Sequence, residues 1–212
     1  MTELLFIRHG LTDYNVQQRF QGQVDPPLNA TGQEQARRLG ARLAADRHDA
    51  LIASDLLRTR QTAAPLAATW TTTPALMPGL REQSFGVLEG LDAPTIRERH
   101  PDLWARWLEH RADYALPGGE SNRQFHARVL QAVREIAREL PGRRVAVVTH
   151  GGVLDMLWRS AHGLPLDGYR ACEIPNTGLN RLRWVDGRLE IDTWADDAHL
   201  RDAEPAFTPP AG

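Results

Sequence analysis

The chain has 212 residues, 42% of them hydrophobic and 25% charged, with a formal net charge of -2 at pH 7. That length suits one well-buried α/β domain with little left for a second. The near-neutral balance gives no electrostatic footprint for nucleic acid or an anionic membrane, and no stretch approaches the ~20 apolar residues of a membrane span.

In chain order the pattern alternates strand and helix. Leu4-Leu5-Phe6-Ile7 is a short continuous apolar run, expected for a central strand covered on both faces. Thr31-Gly32-Gln33-Glu34 reads as a capping box opening a helix with Ala36, Leu39 and Leu43 on one face. Ala50-Leu51-Ile52-Ala53 predicts a second strand ending at Ser54-Asp55, with Asp55 capping a helix that runs toward Trp70 and bends at Pro65. Residues 94–111 predict one helix with Ile96, Leu103, Trp104, Trp107 and Leu108 as its apolar stripe. Pro117-Gly118-Gly119-Glu120 breaks the chain. Ser121-Asn122-Arg123-Gln124 is a second capping box, followed by Phe125, Val129, Val133, Ile136 and Leu140 at helical spacing.

Val145-Ala146-Val147-Val148-Thr149 is the clearest strand and runs straight into His150-Gly151-Gly152 and a helix from about Val153 to Ala161. Asp186-Gly187 between runs containing Leu182, Trp184, Leu189 and Ile191 signals a hairpin. The Pro-rich stretch Ala203–Gly212 is expected to be a disordered tail, leaving residues 1–202 as one domain. The expected architecture is a three-layer α/β/α sandwich, its sheet mostly parallel with an antiparallel hairpin at one edge. One cysteine, Cys172, precludes an intrachain disulfide, and the first residues lack the basic region of a signal peptide. A cytoplasmic location is expected.

Two strands share a design in which a buried run ends in histidine and glycine: Arg8-His9-Gly10 and Thr149-His150-Gly151-Gly152. Ligands of parallel sheets bind beyond the carboxyl ends of the strands, so neighbouring strands would send both imidazoles into one crevice. Arg8 supplies a planar, permanently charged fork suited to phosphate, and Arg58 stands one turn into the helix after the third strand end. The amides opening the helix after Gly151 suit an anion as well. Singly, each such residue is more often structural than functional. Four of them at strand carboxyl ends point to an anionic ligand. Zinc is the rival for paired histidines, yet neither has a cysteine, histidine or carboxylate at ligand spacing, so neither metal nor cofactor is expected. All 25 basic residues are arginine, so an anion site here must rely on guanidinium, imidazole or backbone amides.

Arg8-His9-Gly10, Ser54-Asp55-Leu56-Leu57-Arg58-Thr59-Arg60-Gln61-Thr62, Glu82-Gln83-Ser84-Phe85-Gly86 and Thr149-His150-Gly151-Gly152, in this order, resemble the histidine phosphatase superfamily in its phosphoglycerate-mutase-like branch. The resemblance runs from about Thr2 to Trp184. It implies His9 as a nucleophile that becomes phosphohistidine, Arg8, Arg58 and His150 as clamps on the phosphoryl oxygens, and Gly151 as a further donor. It also implies Asn15, Gln21 and Gly22 as pocket-lining residues and Glu82 as proton donor to the leaving oxygen. Such a Glu82 needs an apolar or acidic setting to keep its proton, and Leu80, Phe85 and Leu88 can supply the apolar part. An attacking imidazole must be unprotonated, which an ordinary value near ~6.5 allows at neutral pH.

In the family this chain resembles, mutases and phosphatases share the core, and the glycolytic mutases carry a lysine-bearing, arginine-rich lid that grips a small, highly charged acid. The segment from Glu89 to Ala115 contains Leu103, Trp104, Trp107 and Leu108 and no lysine, and Arg97, Arg99, Arg106 and Arg111 fall at spacings of a solvated face. So apolar a lid favours a phosphomonoesterase for a small phosphorylated metabolite. A bisphosphoglycerate-dependent mutase and a protein phosphatase acting on a phosphorylated partner are the alternatives, and a homodimer is left open.

Overall fold

The computed structural model describes residues 1–170 and 172–201; the tail expected over 203–212 lies outside them. Six strands, β1 (Thr2–Arg8), β2 (Ala50–Ala53), β3 (Ala75–Leu76), β4 (Arg144–Thr149), β5 (Leu179–Val185) and β6 (Arg188–Asp196), form one sheet in the order β3-β2-β4-β1-β5-β6. The β3, β2, β4 and β1 strands run parallel, and β5 and β6 continue antiparallel beyond β1. The expected α/β/α sandwich with an antiparallel edge is therefore the architecture found. Asp186 and Gly187, with φ of 47° and 82°, make the two-residue turn of the β5–β6 hairpin.

A single-turn helix, α1 (Asp13–Val16), follows β1, and strand periodicity divides the core between the faces. Leu4, Phe6, Val145 and Val147 join one apolar cluster, and Leu5, Ile7, Ala146 and Val148 join the other. The first is covered by α6 (Asn122–Glu139) and α7 (Gly151–His162), through Phe125, Val129, Val133, Leu154 and Leu157. The second is covered by α2 (Ala30–Arg42) and α3 (Leu57–Trp70), through Leu39, Ala63, Leu66 and Trp70. Among the described residues no helix is long and apolar enough to cross a membrane.

Four local expectations are corrected. The α2 helix begins at Ala30, and its cap is Asn29, whose side chain accepts from the Gly32 amide; Thr31 lies inside the first turn. Asp55 does not cap α3. The Leu57 amide is taken by Asp25 Oδ1 at 2.6 Å, and Asp55 instead forms a bidentate pair with Arg81. Pro65 lies within α3 as read, facing Gly40 of α2. The single helix over 94–111 is two, α4 (Ala93–Arg99) and α5 (Pro101–Leu108), because Pro101 cannot continue α4 and opens the next helix. Leu108, expected in the apolar stripe, is exposed. The Ser121 capping box forms as read. The lid around α4 and α5 has a third cluster of its own, with Leu88, Ile96 and Leu116 buried and Phe20, Phe85, Leu103, Trp104, Trp107 and Tyr114 packed against them.

If Asn29 is the cap, Asn29→Ala costs about 0.5–2 kcal/mol of unfolding free energy and Thr31→Ala stays within about 0.5 kcal/mol. Urea denaturation of the two variants measures both, and the opposite ranking would return the cap to Thr31.

Candidate active site

Parallel pairing places Arg8 opposite Thr149, so His9 and His150 leave the sheet side by side, with ring centroids 5.3 Å apart. The His9 amide donates to the Thr149 carbonyl and the Ser54 amide to the Val148 carbonyl, which fixes three strand ends around one point. Both imidazoles are buried. His9 Nδ1 lies 2.7 Å from the Gly10 carbonyl oxygen. A carbonyl only accepts, so Nδ1 holds the proton and Nε2 keeps its lone pair. His150 Nε2 lies 2.9 Å from Ser54 Oγ; with the hydroxyl donating there, the His150 proton is on Nδ1. Gly10 is obligatory for close approach, since a Cβ there would stand 2.6 Å from the Gly32 carbonyl oxygen.

Arg58, in the first turn of α3, is wholly buried. Its Nη1 donates to Val24 O and its Nη2 to Gly22 O, both at 2.8 Å. Arg8 Nη1 donates to Ile174 O at 2.6 Å. These contacts orient the two guanidinium groups and leave a remainder: Arg8 Nε, Arg58 Nε and His150 Nδ1 are buried and unpartnered. Orphaned buried donors are costly, at about 1–3 kcal/mol or more each. Open N–H groups of this kind suit the oxygens of an anion. The Gly151 backbone adds to the same place, a Cβ there standing 3.4 Å from Arg8 Nε and 3.5 Å from an Arg170 nitrogen. Among the described residues no three His, Cys, Asp or Glu side chains gather where they could hold a metal ion.

The field is strongly positive. Burial, then the charges of Arg58 and Arg8, hold His9 well below the usual imidazole range, against the opposing bond to Gly10. Burial, then Arg58 and His9, lower His150 likewise. The ordinary value expected from sequence gives way to rings that remain neutral well into acid. Burial and then Arg170 bring Arg8 down to about 10, still charged at neutral pH.

Glu82 is half-buried beside this cluster. Its Oε2 accepts from the Gly152 amide at 3.0 Å and its Oε1 from the Gln83 amide at 2.9 Å. The apolar collar expected from Leu80, Phe85 and Leu88 is only partly there: Phe85 borders the same cavity, while Leu80 and Leu88 are wholly buried in separate apolar clusters. Arg128 holds the Glu82 segment, bonding the carbonyls of Gly79, Arg81 and Glu82 while paired bidentately to Glu120.

Gly22 reaches the cluster through its carbonyl on Arg58, and its φ of 49° and a Glu89 oxygen 2.1 Å from any Cβ require glycine. Asn15 and Gln21 are tied to each other through Thr12. Asn15 closes a capping box with Thr12, whose hydroxyl also lies 3.0 Å from Gln21 Oε1. Ser54, Glu89, Arg128 and Arg170 were missed from sequence; only Ser54, a hydroxyl at a strand carboxyl end, carried a local signal.

From Glu82 and Gly152 a cavity of about 330 Å³ opens away from the histidines. Phe85, Trp107, Tyr114, Leu116, Phe125 and Met156 form its apolar walls.

Lowered imidazole values link folding to pH. The unfolded chain takes up protons near ~6.5 that the folded site refuses, so stability is full above that value and lost as pH falls below it. The slope approaches about 1.4 kcal/mol per pH unit for each of the two rings. Urea midpoints taken between about pH 7.5 and 5 measure it, and His150→Gln flattens the profile by one ring's share. A profile that His150→Gln leaves unchanged would mean that this ring is not held neutral.

Residues 4–197 match the family profile described as the histidine phosphatase superfamily, branch 1. The chain is 34% identical over 203 residues, 94% of its length and 84% of the relative's, to the metal-independent phosphoserine phosphatase of Arabidopsis thaliana. It is 32% identical over 206 residues, 94% of its length and 95% of the relative's, to a probable phosphoglycerate mutase of Enterobacter sp. (strain 638). A solved mycobacterial glucosyl-3-phosphoglycerate phosphatase complexed with VO3 superposes with a TM-score of 0.79 at 30% identity, over 91% of this chain and 98% of that one. With its paired strand-end histidines and arginines inside that match, the chain belongs to the histidine phosphatase superfamily.

Proposed function

We propose that the protein is a metal-independent phosphomonoesterase that hydrolyses a small phosphorylated metabolite through a phosphohistidine on His9. One observation supports this above the rest: His9 is fixed in the tautomer that frees Nε2, beside three buried N–H donors that lack a protein acceptor. The names of the relatives, two of them phosphatases, agree with it.

In this reading the substrate's phosphoryl oxygens take the open donors of Arg8, Arg58 and His150, with the Gly151 amide beside them. His9 Nε2 attacks phosphorus in line, forming the P–N bond as the bond to the leaving oxygen breaks. The leaving oxygen takes its proton from Glu82, placed by Gly152 at the mouth of the cavity. Water then attacks the phosphohistidine and gives its proton to Glu82. The P–N bond breaks, and phosphate leaves. Little covalent chemistry is asked of the protein beyond positioning and stabilising equatorial charge. The aromatic and aliphatic side chains on the cavity walls support hydrolysis of a monophosphate over gripping a bisphosphorylated acid, but Arg111, read from sequence as part of a solvated face, borders the cavity together with Arg170.

Brief incubation with labelled substrate should give a protein label stable to base and lost in acid, absent from His9→Ala. An acid-stable label, or one that survives the substitution, would remove His9 as nucleophile. Turnover after exhaustive chelation should equal that of the untreated enzyme.

Glu82 is tested separately. Glu82→Gln should slow single-turnover phosphorylation by about 10²–10⁴-fold with alkyl phosphates, whose leaving oxygens need a proton, and much less with an aryl phosphate. Equal losses on both would take the acid role away from Glu82.

A further inference from the structure

Among the described residues the most buried ion pair is Asp155 with Arg159, one turn apart on α7, their side chains 10% and 4% exposed. Arg159 Nε donates to Asp155 Oδ2 at 3.0 Å. Its other two nitrogens bind the loop that follows α7, Nη1 the carbonyls of Pro165 and Asp167, Nη2 those of Gly168 and Tyr169. Three more bonds fasten the same loop: Asn122 Nδ2 to the Leu166 carbonyl, the Ala112 amide to Asp167 Oδ1 and the Gly168 amide to the His110 carbonyl. A buried guanidinium–carboxylate pair adds little to stability after its desolvation. What this one does is fix the backbone of an exposed loop.

The next residue of that loop is Arg170. It is exposed, and among the described residues no carboxylate or other acceptor takes its N–H groups. A Cβ built on Gly151 would stand 3.4 Å from Arg8 Nε, and 3.5 Å and 3.6 Å from Arg170 Nη2 and Nη1. Two guanidinium groups thus meet over the first residue of α7, and the Nε of Arg8 there is buried and unpartnered. After burial, Arg170 is the largest influence lowering Arg8, with Glu82 opposing it. Like charges held this close are reconciled by an anion between them. Because the meeting point includes an open donor of the phosphoryl site, the phosphoryl group itself is the anion that fits.

We infer that Arg170 is a substrate-binding residue of the phosphoryl site, gripping a phosphoryl oxygen together with Arg8, and that Arg159, paired with Asp155, is the positioning residue that holds its loop there. The inference rests on the phosphomonoesterase reading of that site.

Inorganic phosphate has the phosphoryl oxygens and no leaving group, so its equilibrium binding, followed by titration calorimetry, reads this contact without turnover. Arg170→Ala, at an exposed position, should weaken phosphate binding by about tenfold or more, as loss of one charge-assisted hydrogen bond does. Arg170→Lys keeps the charge but not the planar fork and should recover only part of the loss. Arg159→Gln should weaken binding by a similar factor alone and by nothing further in the Arg170→Ala background, a non-additivity that a general loss of structure does not produce. If Arg159→Gln fails to fold, Asp155→Asn, which weakens the pair but keeps an acceptor, takes its place in the cycle. Unchanged phosphate affinity in Arg170→Ala, or full recovery in Arg170→Lys, would overturn the grip. So would intact phosphate binding with a kcat/KM loss confined to phosphoserine and absent from ethyl phosphate, since Arg170 would then serve a carboxylate on the leaving group. Additive losses in the cycle would overturn the positioning role of Arg159. Failure of the phosphomonoesterase reading would appear differently, as no base-stable label on His9 with either ester while phosphate binding still depends on Arg170.

Discussion

In-register parallel pairing of β1 with β4, Arg8 opposite Thr149, obliges the next residue of each strand to leave the sheet at the same height. The two imidazoles are therefore neighbours by construction, whatever their local sequence prefers. Adding β2 on the far side of β4 brings Ser54 and the first turn of α3 to the same edge, and with them the Arg58 guanidinium. A register slip of one residue would exchange the two faces of each strand and scatter this set. The apolar alternation of Leu4 to Ile7 against Val145 to Val148 is what forbids the slip, so the core that stabilises the fold also fixes the chemistry.

That geometry concentrates positive charge and N–H donors in a dry place. Arg58 is wholly buried and has two backbone carbonyls as acceptors, with no carboxylate bonded to it. Such a cluster opposes folding, and an anion reverses the sign of the local electrostatics. Burial and the same field keep His9 neutral, with its Nε2 lone pair free. In the proposed mechanism one arrangement supplies both the affinity for phosphate and the readiness to attack it.

Elements with strong periodicity were legible in the sequence: the central strands, α6 with its capping box, the Asp186-Gly187 hairpin, and the strand-end histidines with Arg8 and Arg58. Features decided at long range were not. Thr31-Gly32-Gln33-Glu34 has the pattern of a capping box, but Asn29, two residues earlier, takes the Gly32 amide and opens the helix. Asp55 reads locally as a cap, but Arg81, 26 positions away, outcompetes the helix for its carboxylate. The β3 strand has two residues and no pattern of its own. Arg128 and Glu89 are indistinguishable in sequence from surface charges, and only the packed loops show what they hold.

The third apolar cluster, built from Leu88, Ile96 and Leu116 with the lid aromatics, shares no residue with the two that flank the sheet. Trp107 and Tyr114, which wall the cavity, belong to it; His9, His150 and the arginines that surround them do not. Trp107 and Tyr114 can therefore change volume without disturbing the layers that align the histidines, whereas Phe125 and Met156, which also wall the cavity, belong to the sheet's own core. Selectivity and foldability are separable properties in this molecule, and a lid could be redesigned for a different leaving group while the phosphoryl-transfer centre beneath it stays as it is.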